Sequence, residues 1–124
     1  MSYRFVTFIN GSIYHLMNRG VGGMNLFRRK KDKMKFVETF RYYQKYQPQI
    51  RLSQLKNLPA SLRGRLYQKH QTKADLVKIH SYCLMPNHFH FVVTQLKDNG
   101  ISNWLRKASL SYSHYFNRRY KRKG

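Results

Sequence analysis

The sequence predicts an α+β fold, an antiparallel sheet carrying helices on one face, and three observations predict it. Segments rich in β-branched and aromatic residues alternate with period two over residues 12–18, 76–84 and 88–96. Two other stretches, within residues 30–47 and 101–120, repeat apolar side chains every three or four positions. The two kinds follow one another as strand, helix, insertion, strand, strand, helix, which matches the first five elements of a split βαβ sandwich. That architecture closes with one more strand, so the chain reads as the N-terminal portion of a longer domain.

Each element has its local reason. In FVTFINGSIYHLMN the turn residues Asn10 and Gly11 set the start of a first strand, Ser12 to Asn18, onto which Tyr3 to Ile9 can fold back as a hairpin. The glycines of RGVGGMN form a loop. In KKDKMKFVETFRYYQKYQ, Met34, Val37, Phe40 and Tyr43 or Gln44 lie at helical spacing, predicting a first helix ended by Pro48. Residues 48–75 are polar and basic and read as an insertion, with a short helix starting at Pro59 or Ser61 despite Gly64. LVKIHSYCL sets Val77, Ile79, Ser81 and Cys83 against Lys78, His80 and Tyr82. HFHFVVTQL repeats that alternation, giving two antiparallel strands joined near Pro86 and Asn87. Ser102 is the expected N-cap of the last helix, where Ile101, Trp104, Leu105, Ala108, Tyr112, Tyr115 and Phe116 make one apolar stripe.

Composition bounds the function. The 124 residues hold 25 Lys plus Arg against 4 Asp plus Glu, a formal charge of +21, in a chain long enough for one small domain. Aromatic residues make up 15%, too many for a disordered basic tail, so a core is expected. Cys83 is the single cysteine, which excludes an internal disulfide or a Cys-based zinc site. No apolar run approaches the ~18 residues that span a bilayer, and MSYRFVTFINGS lacks a secretory h-region. A cytoplasmic location without membrane insertion is expected. So large a cationic excess repels itself when compact, and a polyanionic partner offsets that repulsion. Nucleic acid fits better than an acidic membrane.

The candidate chemistry centres on His88 and His90. Separated by one residue in a strand, their side chains leave the same face about 6.5 to 7 Å apart, while Phe89 points the other way. Two neutral imidazoles suit a divalent transition metal, or Mg²⁺ or Mn²⁺ when oxygen ligands complete the shell. The same pattern also arises where one ring covers the sheet and the other sits in solvent. Asp32, Glu38, Asp75 and Asp98 are scattered, which argues against a carboxylate-based two-metal nuclease.

The motif MPNHFHFVV after YCL, with YHLMNRG near the start and FNRRYKRKG at the end, resembles the HUH-type single-tyrosine transposases, the insertion-sequence-two-hundred-like superfamily, and most closely its REP-associated branch. The resemblance implies a ferredoxin-like sandwich that cuts and joins single-stranded or hairpin DNA, with His88 and His90 as the ligands of a divalent metal, Mg or Mn. It also implies a tyrosine nucleophile that leaves a 5′ phosphotyrosine and a free 3′ hydroxyl. In that family the nucleophile and a third metal ligand lie on a helix after one further strand, which this sequence does not reach. Tyr120, on the basic last turn, is the available stand-in. Without that further strand the first strand would keep an unpaired edge, a route to a homodimer.

The expected DNA contacts are His15 in YHLMNRG, which could approach the metal site or a phosphate; Arg19 at the following turn; Arg28, Arg29 and Lys30; and Arg106, Lys107, Asn117, Arg118, Lys121 and Arg122 along the last helix. Asn87 either orients His88 or serves the turn. A non-catalytic nucleic-acid-binding module is the competing reading, and a ribosomal-type RNA binder a weaker one.

Overall fold

A computed structural model gives the fold and describes residues 7–46 and 48–122. The three alternating segments form strands β1 (Ile13–Arg19), β2 (Val77–Met85) and β3 (His88–Gln95), joined as one antiparallel sheet in the order β1-β3-β2. β3 takes the centre because its inward residues are the most apolar: Phe89, Phe91 and Val93 are buried, alternating with partly exposed neighbours. Helices α1 (Lys30–Tyr42) and α4 (Gly100–Arg119) cover that inward face. The result is the α+β arrangement expected of a split βαβ sandwich.

Aromatic packing sets the distance between the layers. Phe36 and Phe40 of α1 stack with centroids 4.1 Å apart, and Trp104 of α4 meets Phe91 edge-on at 4.9 Å. Trp104 is fully buried, and its indole N–H donates to the Phe40 carbonyl at 2.8 Å, so its one polar atom is satisfied. Tyr112 is likewise buried and donates to the Leu26 carbonyl.

Several sequence expectations are corrected. The inward stripe of α1 is Asp32, Phe36, Thr39 and Phe40, whereas Met34 is 63% exposed. A buried aspartate hides the true stripe from a hydrophobicity pattern. The helix ends at Tyr42 rather than near Pro48, because Lys45 turns away to bridge with Asp75 ahead of β2. α4 starts two residues before Ser102: Asn99, with φ of 59°, is the N-cap, and Gly100 lies so close to the Leu76 carbonyl that a Cβ would approach it to 2.5 Å. The alternation in β2 reverses at a bulge between Ile79 and Ser81, so Tyr82 and Leu84 pair with the inward Phe91 and Phe89, and Ser81 and Cys83 turn outward. Of the expected N-terminal hairpin, Tyr3 to Val6 fall outside the described residues. Thr7 to Ile9 form no strand; the Ile9 N–H donates to the Tyr14 hydroxyl, and Phe8 packs edge-on against Tyr14.

The insertion contains α2 (Leu52–Lys56) and, after Pro59, α3 (Ala60–Gln71). His70 docks α3 on α1. Its ring is buried, stacks on Tyr42 at 4.1 Å, and its Nε2–H donates to the Tyr42 carbonyl. Desolvation holds this imidazole below its usual pKa.

Asp32 fastens α1 to α4. It is fully buried, and accepts the backbone N–H groups of Arg28 and Arg29 at 2.9 and 3.0 Å, the Tyr115 hydroxyl at 2.7 Å and the Tyr120 hydroxyl at 2.5 Å. Burial alone would raise its pKa, but the hydroxyl and backbone donors outweigh it and hold the carboxyl below its ordinary value. A depressed carboxyl contributes stability in full above its unfolded value near ~4, and loses it as pH falls through the lower native value. Asp32→Ala should cost about 3 kcal/mol at neutral pH by orphaning these donors, and should show a shallower acid dependence than the native chain. Urea midpoints compared at about pH 7 and pH 3 check both effects.

Candidate metal and nucleic-acid site

The period-two geometry that buries Phe89 and Phe91 sends His88 and His90 to the helix-free face of the sheet. Their ring centroids are 5.0 Å apart. β1 runs alongside with its exposed residues on the same face, Arg19 paired with His88 and Met17 paired with His90. His15, one pair further along, reaches diagonally to His90: its Nε2 is 2.9 Å from His90 Nδ1, and the two rings stack at 5.1 Å.

The hydrogen bonds define which nitrogens remain available. His88 Nδ1 is 2.8 Å from Asn87 Oδ1, an atom that can only accept, so Nδ1 carries the proton and Nε2 keeps a lone pair. At His90 the shared proton lies on either side. When His90 Nδ1–H donates to His15, its Nε2 also keeps a lone pair. Desolvation, then the nearby His15 and His88 rings, hold His90 below the usual imidazole pKa, which favours the neutral ring that can donate electrons to a cation.

Backbone contacts fix the turn that carries Asn87. The Gly20 N–H donates to the Asn87 carbonyl at 2.8 Å and the Leu26 N–H to the Pro86 carbonyl at 2.7 Å. Gly20 is required by close approach, since a Cβ there would stand 2.2 Å from the Met24 carbonyl oxygen.

The other expected residues gather elsewhere. Arg28 lies over the Tyr120 ring at 4.4 Å and the Phe116 ring at 5.5 Å, Arg29 donates to the Tyr120 hydroxyl, and the Arg122 guanidinium meets the Met24 sulfur. These residues, with Lys30, Arg118 and Lys121, make a basic corner where the start of α1 meets the end of α4. Lys121 and Arg122 lie beyond the helix, with Lys121 at φ of 52°. Arg106, Lys107 and Asn117 lie on α4 itself, in the layer across the sheet from the histidines. The Tyr120 hydroxyl is held by Asp32 and Arg29, and among the described residues no tyrosine makes a ring contact or hydrogen bond with His88 or His90.

Sequence reasoning missed a set of sulfur positions. Cys83 and Met17 occupy the partner positions on either side of His90, Met85 pairs with His88, and Cys83 Sγ is 3.7 Å from Met85 Sδ. Only the strand register and the β2 bulge reveal this. Among the described residues no group of three His, Cys, Asp or Glu is placed to hold a metal ion. Two imidazoles alone would leave most of a divalent cation's shell to oxygen ligands from elsewhere.

The chain belongs to the family described as "Transposase IS200 like", whose model matches residues 33–124, a span that includes all but the first three residues of α1, the insertion, the histidine pair and α4. β1, with His15 and Arg19, precedes that span. No curated protein and no solved structure matches the chain. Membership makes this a transposase domain, and the family implies DNA as a partner. No helix among the described residues is long and apolar enough to cross a membrane.

Gly20→Ala should displace the Gly20–Met24 loop and release the turn that orients His88. A loss of about 1–3 kcal/mol in stability is expected. Two-bond proton–nitrogen NMR spectra should also change His88 from a single Nδ1–H form to a mixture.

Proposed function

We propose that this chain is a transposase domain of the HUH single-tyrosine type, which binds single-stranded or hairpin DNA and assists its cleavage and rejoining through a phosphotyrosine. The observation that carries the reading is the His88 and His90 pair on one face of β3, with each Nδ1 engaged by a neighbour and the Nε2 atoms left for a ligand.

His88 and His90 would hold Mg²⁺ or Mn²⁺, which when bound neutralises the charge on a scissile phosphate and stabilises its departing oxygen. Asn87 positions His88. His15 positions His90 by accepting from Nδ1–H, a role that replaces direct DNA contact for this residue. Arg19, exposed beside His88, would take a phosphate of a strand lying across the sheet. The basic corner from Arg28 to Lys30, with Arg118, Lys121 and Arg122, takes flanking backbone, and Arg106, Lys107 and Asn117 extend that surface along α4. In this reading a tyrosine hydroxyl would attack phosphorus, forming the O–P bond as the bond to the 3′ oxygen breaks, with the phenol proton passing to that departing oxygen, and the covalent bond would preserve the energy needed for rejoining. β1 has a strand partner on only one side among the described residues, which supports homodimer formation along that edge.

A second reading, a binding module without cleavage, is favoured by one observation: the Tyr120 hydroxyl is engaged by Asp32. Incubation with a labelled DNA hairpin and Mn²⁺ separates the two. A covalent adduct on a denaturing gel supports the enzyme, and intact binding without an adduct supports the module.

Metal binding is tested separately. Titration calorimetry with Mn²⁺ should show binding that is abolished by His88→Ala or His90→Ala and weakened about 10- to 100-fold by His15→Ala. His15→Gln, whose amide oxygen can accept from Nδ1–H, should recover part of the loss. Equal Mn²⁺ affinity across all four variants contradicts the proposed site.

A further inference from the structure

A large cavity lies on the opposite side of the sheet from the histidines. It is a cleft of about 1230 Å³ between α1, the α2–α3 insertion and the edge strand β2. A small-molecule pocket occupies about 300–1,000 Å³, so this space is sized for a longer ligand. Phe91 lies at its inner wall, Tyr82 stands 5.9 Å from Phe91, and Tyr67 lines the α3 side; both tyrosines are nearly half exposed.

Charge decides what kind of ligand fits. Two carboxylates line the cleft, but Glu38 is paired with Lys35 and Lys56, and Asp75 with Lys45. Arg41 and Arg63 also line it, are exposed, and have no carboxylate partner among the described residues. The cleft thus offers two unpaired guanidinium groups and two exposed aromatic rings, the combination that holds phosphates while bases stack.

We infer that this cleft is a second nucleic-acid site, which takes a short unpaired segment with its bases on Tyr67 and Tyr82 and its phosphates on Arg41 and Arg63. The β2 bulge connects it to the histidine face. His80 and Ser81 line the cleft at the bulge, and His80 Nε2 is 2.6 Å from the Thr94 hydroxyl, on the outward side of β3. β2 is an edge strand, so nucleic acid leaving the cleft can pass around it toward His88 and His90. The inference rests on the nucleic-acid partner of the proposed function, and is independent of metal and cleavage.

The test is fluorescence anisotropy of a labelled oligothymidylate with the full chain in EDTA, titrated over a range of salt concentrations. Tyr82→Ala and Tyr67→Ala should each weaken binding about 5- to 100-fold, while Tyr82→Phe and Tyr67→Phe retain it. Arg41→Ala with Arg63→Ala should lower the salt slope by about 1.4, twice the ~0.7 expected per single-strand phosphate. Lys33→Ala, exposed and outside the cleft, serves as the charge control. The cleft is refuted if its variants bind like Lys33→Ala while the oligonucleotide still binds well. If the native chain fails to bind any oligonucleotide, the nucleic-acid reading itself falls. Each substituted cleft residue is exposed, and unchanged melting temperatures confirm that the variants fold.

Discussion

The structure depends on the strict alternation of one strand. β3 sends Phe89, Phe91 and Val93 into a core of aromatic rings and His88 and His90 to the opposite face, and neither set can move without the other. A slip of one residue would bury two imidazoles and expose two phenyl rings. The core therefore sets the position of the histidines as firmly as any contact the histidines make. Their immediate neighbours then refine it, Asn87 from the turn and His15 from the adjacent strand. Site and core are two sides of a single packing solution.

Four carboxylates serve a chain with 25 basic residues, and each has an internal task. Asp32 binds the two main helices together, Glu38 and Asp75 pair with lysines around the insertion, and Asp98 accepts from the Asn10 amide. Few anionic groups remain to compete with phosphate. The cationic surface also has internal structure: Arg28 and Arg29 are ordered against Tyr120 rather than left as free side chains. Ordering them in advance lowers the entropy lost when they meet a ligand.

Much of this was legible in the sequence. The three strands, the last helix, and the shared face of His88 and His90 followed from period two, period 3.6 and the turn residues, because those elements are amphipathic in the ordinary way. Trp104, Tyr112 and Phe116 were readable as core for the same reason. The insertion's short helix was readable from Pro59. Three things were not. The stripe of α1 was misread because Asp32 occupies an inward position, where two of its donors are tyrosine hydroxyls more than eighty residues away. The β2 bulge reversed a pattern that looked continuous, and with it the placement of Tyr82 and Cys83. The docking role of His70 was invisible because a histidine in a polar stretch gives no sign of the tyrosine on which it will stack.

The Asp32 junction has a consequence for how the chain acquires its structure. Its hydroxyl partners, Tyr115 and Tyr120, follow it by 83 and 88 residues. During synthesis the first helix must leave the ribosome with its inward carboxylate still hydrated, and dehydration has to wait for α4 to arrive. Loop closure over that span is entropically costly and comes before its reward, so the first half of the chain gains little by folding early. Maturation should be a single late and cooperative event, in which the histidine turn, the basic corner and both main helices reach their final arrangement together.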